Sequence, residues 1–263
     1  MCCQPPVKND DIDFFYEKNM RLIDSAPVEL PTIGITGGEP TLLGERLFDL
    51  IAYIRKRLPN THIQILSNGR KFAESNYAER LTQVSEGMVI VGVPFHSDSP
   101  IIHDRIAGAK NAYNQTLLGL YNLTANDIDT ELRIVLNKQN YQRLPQMAHF
   151  ISKNLAFVAT VAFMAMEDIG YTIKNRDLIW IEPIDYMPQL QQAVIYLSQL
   201  EFDVSLFNLP LCLLPENLRP FAKQSISDWK NRYLPICDTC TAKSECSGFF
   251  STSKSIFQGI HSL

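Results

Sequence analysis

Val89-Ile90-Val91-Gly92-Val93 has no polar side chain at five successive positions. A strand with one wet face alternates between apolar and polar residues. This run does not, so it reads as a strand buried on both faces, as in a parallel sheet. Working outward, strand-like runs at 32–36, 62–67, 88–94, 131–136, 157–164, 178–182 and 203–207 are separated by helix-like runs. The helical runs are 44–57, 71–83, 111–124, 142–154 and 188–200, preceded by a helical pattern at 10–25 with Ile12, Phe15, Tyr16, Met20, Leu22 and Ile23 as candidate core positions. Strand–helix alternation with short joins implies right-handed crossovers and a parallel α/β sheet or barrel. In such folds ligands bind beyond the C-terminal ends of the strands.

The loops at those ends are distinctive. The first is Thr36-Gly37-Gly38-Glu39-Pro40-Thr41, the second Ser67-Asn68-Gly69-Arg70, and the third runs from Pro94 through His96 to Pro100. Two glycines at a strand end expose backbone carbonyls, Glu39 adds a carboxylate, and Pro40 fixes the chain direction. This is a set of acceptors without a strong donor. It suits an ammonium group better than a phosphate, which needs N–H donors; the plainer alternative is a strand-to-helix turn. His96, Asp98, His103 and Asp104 read as loop and helix-cap chemistry, with ligand contact as the sharper alternative. Arg133, Asn137 and Glu167 are candidate polar contacts. Met164 and Met166 suit core or ring packing, and His62 and His149 read as structural.

With 263 residues, 46% hydrophobic and 20% charged, the chain is long enough for one α/β barrel and a short appendage. Net charge is −4 and no Lys/Arg block occurs, which argues against a nucleic-acid partner. The longest nearly apolar run, 155–166, is too short to span a bilayer. The first residues lack the basic and apolar regions of a secretory signal.

Six cysteines lie towards the two ends: Cys2, Cys3, Cys212, Cys237, Cys240 and Cys246. A disulfide framework suits small secreted chains. Clustered cysteines in a chain without a secretory signal read as metal ligands in a reducing, cytoplasmic setting. Cys237-x2-Cys240-x5-Cys246, closed by Cys212, supplies four thiolates, suited either to zinc or to an iron–sulfur cluster. The division expected is a barrel over 1–207 and a cysteine-rich extension over 208–263.

Taken together, Cys-x-Gln-Pro-Pro at 2–6, the Gly37-Gly38-Glu39-Pro40 loop and Ser67-Asn68-Gly69 resemble the radical S-adenosylmethionine (SAM) superfamily. More narrowly, they resemble the radical SAM maturase of the His-Xaa-Ser repeat peptide system. The resemblance implies a partial parallel (β/α) barrel. It also implies SAM bound by Gly37, Gly38, Glu39 and Pro40, with Ser67, Asn68 and Asn137 beside it. A [4Fe-4S] cluster is implied with Cys2 as its last thiolate, and an auxiliary [4Fe-4S] cluster on Cys212, Cys237, Cys240 and Cys246. The chemistry implied is a 5′-deoxyadenosyl radical that modifies a ribosomally made His-Xaa-Ser repeat precursor peptide. The partners implied are that peptide, an electron donor protein and a second radical SAM maturase, without nucleic acid or membrane.

The family's CxxxCxxC motif is present only from its last cysteine. The expectation is a chain whose first strand and first two cluster cysteines lie upstream of Met1. That would leave the strand at 32–36 as an aggregation-prone edge. The rival reading is a truncated, non-catalytic barrel serving as a binding or scaffold protein with one C-terminal metal site.

Overall fold

A computed structural model describes residues 11–224, 231–252 and 256–263. The expected ligands Cys2 and its neighbour Cys3 lie outside the described residues. Six strands form one sheet: β1 (Thr32–Ile35), β2 (His62–Leu66), β3 (Val89–Pro94), β4 (Asp129–Val135), β5 (Thr160–Met164) and β6 (Val204–Phe207), in that spatial order. β1 pairs with β2, β2 with β3, and β5 with β6, all parallel. Spatial order that follows chain order, with helices between, is the winding of a (β/α) barrel rather than of a doubly wound sheet. A short antiparallel pair, β7 (Asn231–Arg232) with β8 (Phe249–Phe250), lies in the C-terminal region.

The chain forms two compact units. One comprises the described residues 11–94 together with 112–131. It holds α1 (Ile12–Asp24), β1, α2 (Glu45–Arg57), β2, α3 (Ser75–Ser85), β3 and α5 (Ala112–Ala125). Its core is Leu47, Ile51, Ile54, Ile63, Ile65, Phe72, Leu81 and Val91, all almost fully buried. Arg55 is buried within it and ties the α2–β2 turn by donating to the carbonyls of Leu58, Pro59 and Thr61. The other unit holds 95–111 and the described residues of 132–263. Its helices are α4 (Pro100–Ala107), α6 (Leu144–Asn154), the one-turn α7 (Tyr171–Lys174) and α8 (Arg176–Ile179), and α9 (Pro183–Gln199). α6 and α9 pack together, and Met147 and Ile151 on the first and Leu190 and Val194 on the second are buried. The region after residue 207 belongs to this same unit.

Three expectations are corrected. Residues 178–182 are not a strand: Leu178 ends in α8 and is 65% exposed, while Ile179 is buried. Four consecutive apolar residues, Leu178 to Ile181, imitate a buried strand there, but the segment turns at Asn175 and runs extended only from Trp180 into Pro183, the first residue of α9. α9 consequently begins five residues before Pro188, which is carried inside it. On α1, only Ile23 of the six expected core positions is buried; Ile12, Phe15 and Leu22 are largely exposed. Periodicity reports an apolar face on a helix but not how much of it a neighbour covers.

Candidate functional site

The loops after β1 and β2 are joined through one carboxylate. Glu39 Oε1 accepts from Ser67 Oγ at 2.6 Å, from Thr41 Oγ1 at 2.7 Å and from the Thr41 N–H at 3.2 Å. Its Oε2 accepts from the Asn68 N–H at 2.7 Å. Ser67 and Thr41 are buried, so these charge-assisted bonds form partly away from water, where they are strongest. Tyr77 completes the support by donating to the Thr41 carbonyl at 3.2 Å. Burial, with the Glu39 charge behind it, pushes the Tyr77 phenol up to about 12, so the hydroxyl stays a donor.

Glu39 therefore acts first as an internal lock. The groups it holds in place are the backbone of Gly37 and Gly38, both exposed. Gly37 has φ +154°, a conformation L side chains rarely adopt, and a Cβ built on either glycine meets nothing within 4 Å. The outer side of the loop is thus open to a ligand, and its backbone acceptors are the available chemistry. Pro40 opens a short 3-10 turn directly after Glu39.

The second loop is held from beneath by α5. Arg70 Nε donates to Gln115 Oε1 at 2.7 Å, and Thr116 Oγ1 to the Asn68 carbonyl at 3.4 Å. Gly119 lies so close that a Cβ there would collide with the Gly69 carbonyl oxygen. Gly69 is itself in the left-handed region at φ +76°, with Val93 Cγ1 only 2.7 Å from where its Cβ would be. The approach of Gly119 to Gly69 cannot be assigned from sequence, though a glycine inside a helical pattern is a recognised signal for close packing.

In the other unit, Asn137 is fully buried and serves its own loop. Its side chain donates to the Val135 carbonyl and accepts from the Gln139 N–H, each at 2.9 Å, while its N–H donates to Asn140 Oδ1. Asn140 donates onward to the His96 carbonyl at 3.0 Å. Both asparagines shape the loop rather than present amides to a ligand. Asp98 forms a two-point pair with Arg143, at 2.8 and 2.5 Å. Asp104 lies inside α4 and accepts from the Asn111 N–H at 2.6 Å. His96 and His103 are buried with ring centroids 5.0 Å apart. Burial lowers both, His96 to about 3 and His103 to about 4, so both rings are neutral at physiological pH.

Cys212, Cys237, Cys240 and Cys246 line a single narrow cavity with His261 and Leu263. Backbone N–H groups point at the sulfurs. Leu211 and Gly248 donate to Cys246 Sγ at 3.3 and 3.4 Å, and Leu263 to Cys240 Sγ at 3.4 Å. His261 lines the cavity with its backbone towards Cys212. The Leu263 and Ala242 amides hold the Cys240 thiol below its ordinary range; at Cys212 burial outweighs the His261 bond and the thiol is raised. Among the described residues, no three His, Cys, Asp or Glu side chains close around a single ion. The shared cavity and the absence of a single-ion site are compatible. Tetrahedral zinc at about 2.3 Å from each sulfur draws thiolates to within about 4 Å of one another. A polynuclear cluster, with one thiolate on each iron, leaves them farther apart. Four cysteines with backbone N–H partners are a donor set that suits zinc or an iron–sulfur cluster.

Comparison with known proteins agrees with this geometry. The family model described as Radical SAM superfamily matches residues 2–151, more than half of the chain. Fe-coproporphyrin III synthase of Methanosarcina barkeri (strain Fusaro / DSM 804) is 32% identical over 163 residues, which are 62% of this chain and 39% of that protein. Among solved structures, Streptococcus suis SuiB bound to S-adenosylmethionine superposes with TM-score 0.58 at 13% identity, over 87% of this chain and 50% of that one. Native anSMEcpe with bound AdoMet gives TM-score 0.59 at 17% identity, over 75% and 54%. The chain thus spans about two-fifths to one-half of the length of these relatives, and the structural likenesses, at such low identity, bear on the fold alone. Parallel strands wound in chain order, a Gly-Gly-Glu-Pro loop locked to the next strand end, and a family match covering both place this chain in the radical SAM superfamily, whose cofactors are S-adenosylmethionine and a [4Fe-4S] cluster.

Proposed function

We propose that this chain is the SAM-binding part of a peptide-modifying radical SAM enzyme, and that its four C-terminal cysteines hold an auxiliary [4Fe-4S] cluster. The observation that carries the proposal is the Glu39 lock, which fixes the β1 and β2 loop backbones relative to each other while leaving the Gly37–Gly38 side open. When bound, SAM and a reduced cluster supply radical chemistry that removes hydrogen from an unactivated carbon; the protein supplies binding and orientation. In this reading the Gly37 and Gly38 carbonyls accept from the SAM ammonium, and Glu39 adds charge complementarity. Ser67 and Asn68 lie beside the ribose, positioned by α5. Pro40 holds the direction of the loop. Asn137 contributes by shaping its loop and not by contact.

Cys2 would be the last thiolate of the SAM-binding cluster; the motif's first two cysteines have no counterpart in the sequence. A His-Xaa-Ser repeat precursor peptide is the proposed substrate, with an electron donor protein and a second radical SAM maturase as partners. Support for a peptide comes from SuiB, which shares the fold and is known bound to its precursor peptide SuiA. No helix among the described residues is long and apolar enough to cross a membrane, and the cysteine usage suits a reducing cytoplasm.

A tetrapyrrole substrate is the second reading. It is favoured by the 32% identity to Fe-coproporphyrin III synthase, higher than that to the peptide-binding fold relatives. The test is anaerobic reconstitution of this chain and of a form extended upstream through Cys-x3-Cys-x2 into Cys2. Each is then reduced and given SAM with either a His-Xaa-Ser repeat peptide or coproporphyrin. 5′-Deoxyadenosine from the extended form, with a mass change in the peptide, supports the proposal. A change only in the porphyrin supports the second reading. SAM binding without cleavage in either form supports the non-catalytic scaffold.

A further inference from the structure

The segment 256–263 is tied down along its whole length. Phe257 stacks on Trp180, with centroids 6.1 Å apart and planes at 27°, and also meets Phe249 at 5.8 Å. The Gln258 N–H donates to Glu182 Oε2 at 3.2 Å, and Trp180 Nε1 donates to the other oxygen of Glu182 at 2.8 Å. His261 Nδ1 lies 2.9 Å from the Gly259 carbonyl, closing a local turn. At the far end, the Leu263 carbonyl accepts from the Thr241 N–H and Oγ1, each at 3.0 Å. Thr241 immediately follows Cys240. The segment is therefore anchored on α9's leading edge and on the cysteine knuckle, and it runs between them past the sulfurs.

Nothing in the sequence of this segment is a metal ligand by type except His261, and its imidazole is turned to its own backbone. What the segment offers is amide donors. The Leu263 N–H reaches Cys240 Sγ at 3.4 Å, and His261 lines the same cavity with its backbone towards Cys212. These two cysteines come from separate stretches of chain, 28 positions apart (240 minus 212), so one short strap spans both. Hydrogen bonds to thiolate sulfur stabilise the more negative, reduced state of a cluster and raise its potential. Partners of this outer kind also set how firmly a site retains metal.

We propose that residues 261–263 are a working part of the four-cysteine site, a strap whose His261 and Leu263 amides hold Cys212 and Cys240 and set the potential and retention of the metal bound there. This rests on the reading that the four cysteines bind an iron–sulfur cluster. His261 and Leu263 are positioning residues: they act through the sulfurs and not on substrate.

The strap can be tested without enzymatic turnover. Proline lacks the N–H, so Leu263→Pro removes the donor to Cys240, while Leu263→Ala keeps it; His261→Pro and His261→Ala form the matching pair at Cys212. The full chain and the four variants are reconstituted anaerobically with iron and sulfide. Iron per chain, the reduction potential by EPR-monitored titration, and the rate of iron release to a chelator are then measured. The expected result is roughly tenfold faster release in each proline variant, with a potential shifted to more negative values, and alanine variants that match the parent. Proline variants indistinguishable from their alanine partners would overturn the strap while leaving the cluster in place. A parent chain that takes up no iron, or loses it equally from a Cys240→Ser variant, overturns the cluster reading and the strap with it. Far-ultraviolet circular dichroism of the proline variants, expected unchanged, separates loss of a donor from loss of fold.

Discussion

Glu39 Oε1 lies 2.6 Å from Ser67 Oγ, so the ends of the first two strands share one carboxylate. With Thr41 and the Asn68 amide on the same group, Glu39 accepts four hydrogen bonds within the protein. A loop sequence that reads as a ligand clamp is thus a lock before it is a clamp. Glu39→Gln keeps the shape but removes the charge and turns one acceptor into a donor facing a donor. The expected loss of stability is about 1–3 kcal/mol, read as a lower urea midpoint with unchanged slope. Ser67→Ala removes one of the four bonds and is expected to cost less, about 1 kcal/mol. An unaltered midpoint in Glu39→Gln would show that the four bonds add nothing to the fold.

Gly119 gives a prediction whose sign decides. In an exposed helix, Gly→Ala stabilises by roughly 0.5–1 kcal/mol. Here the added methyl meets the Gly69 carbonyl oxygen, and forcing atoms into such a contact costs about 1–3 kcal/mol. Gly119→Ala should therefore lower the melting temperature and weaken SAM binding through the Asn68 loop. A rise in melting temperature would mean that α5 does not press on that loop.

The buried histidines impose an acid limit. Burial lowers His96 to about 3 and His103 to about 4, with the Asp104 charge working in the opposite direction at His103. Between those values and the ordinary value near 6.5 the unfolded chain binds protons that the folded chain does not. Stability is therefore full above about pH 6.5 and falls as the pH is lowered towards 4, by on the order of 2 kcal/mol for each ring at pH 5. Urea denaturation at pH 7 and pH 5 measures this. In His103→Asn the fall should be smaller, by about the share of one ring, and equal falls in parent and variant would contradict it.

The Asp98–Arg143 pair joins the loop after β3 to the start of α6, and Asp98 is mostly buried while Arg143 is about one-third exposed. Water screens part of the attraction, so Arg143→Met is expected to cost only about 1 kcal/mol. Its clearer signature is salt dependence: raising ionic strength should weaken the parent more than the variant. A thermal-shift series in sodium chloride would reveal whether the slopes differ as stated.

β3 was legible because burial on both faces writes itself as consecutive apolar residues, and β2 because Ile63 and Ile65 alternate with polar residues; both strands lie within one residue of the runs read from sequence. The Gly37–Pro40 and Ser67–Asn68 segments were legible as glycine-containing turns at strand ends, but that Glu39 bonds across from one to the other was not, because no local spacing reports it. Leu178–Ile179 misled, since a short run of consecutive apolar residues fits a one-turn helix followed by extended chain as well as it fits a buried strand. Asn137 was placed at the right strand end, but whether an amide faces a ligand or its own turn depends on tertiary contacts no spacing reveals. The four cysteines were legible as a set. The Leu263 and His261 amides beside them were not, because a backbone N–H has no letter in the sequence.

SAM binding at the β1 and β2 loops is the central claim, and equilibrium dialysis of labelled SAM against the anaerobically reconstituted chain tests it most directly. The parent and a Gly37→Val variant, which puts a branched side chain where the backbone has φ +154° and faces open space, are compared under identical conditions. Saturable binding of one SAM per chain by the parent, weakened at least roughly tenfold in Gly37→Val for a loss of about 1.4 kcal/mol, is the expected result. Absence of saturable binding to the parent, or equal binding by a folded Gly37→Val chain, would contradict it.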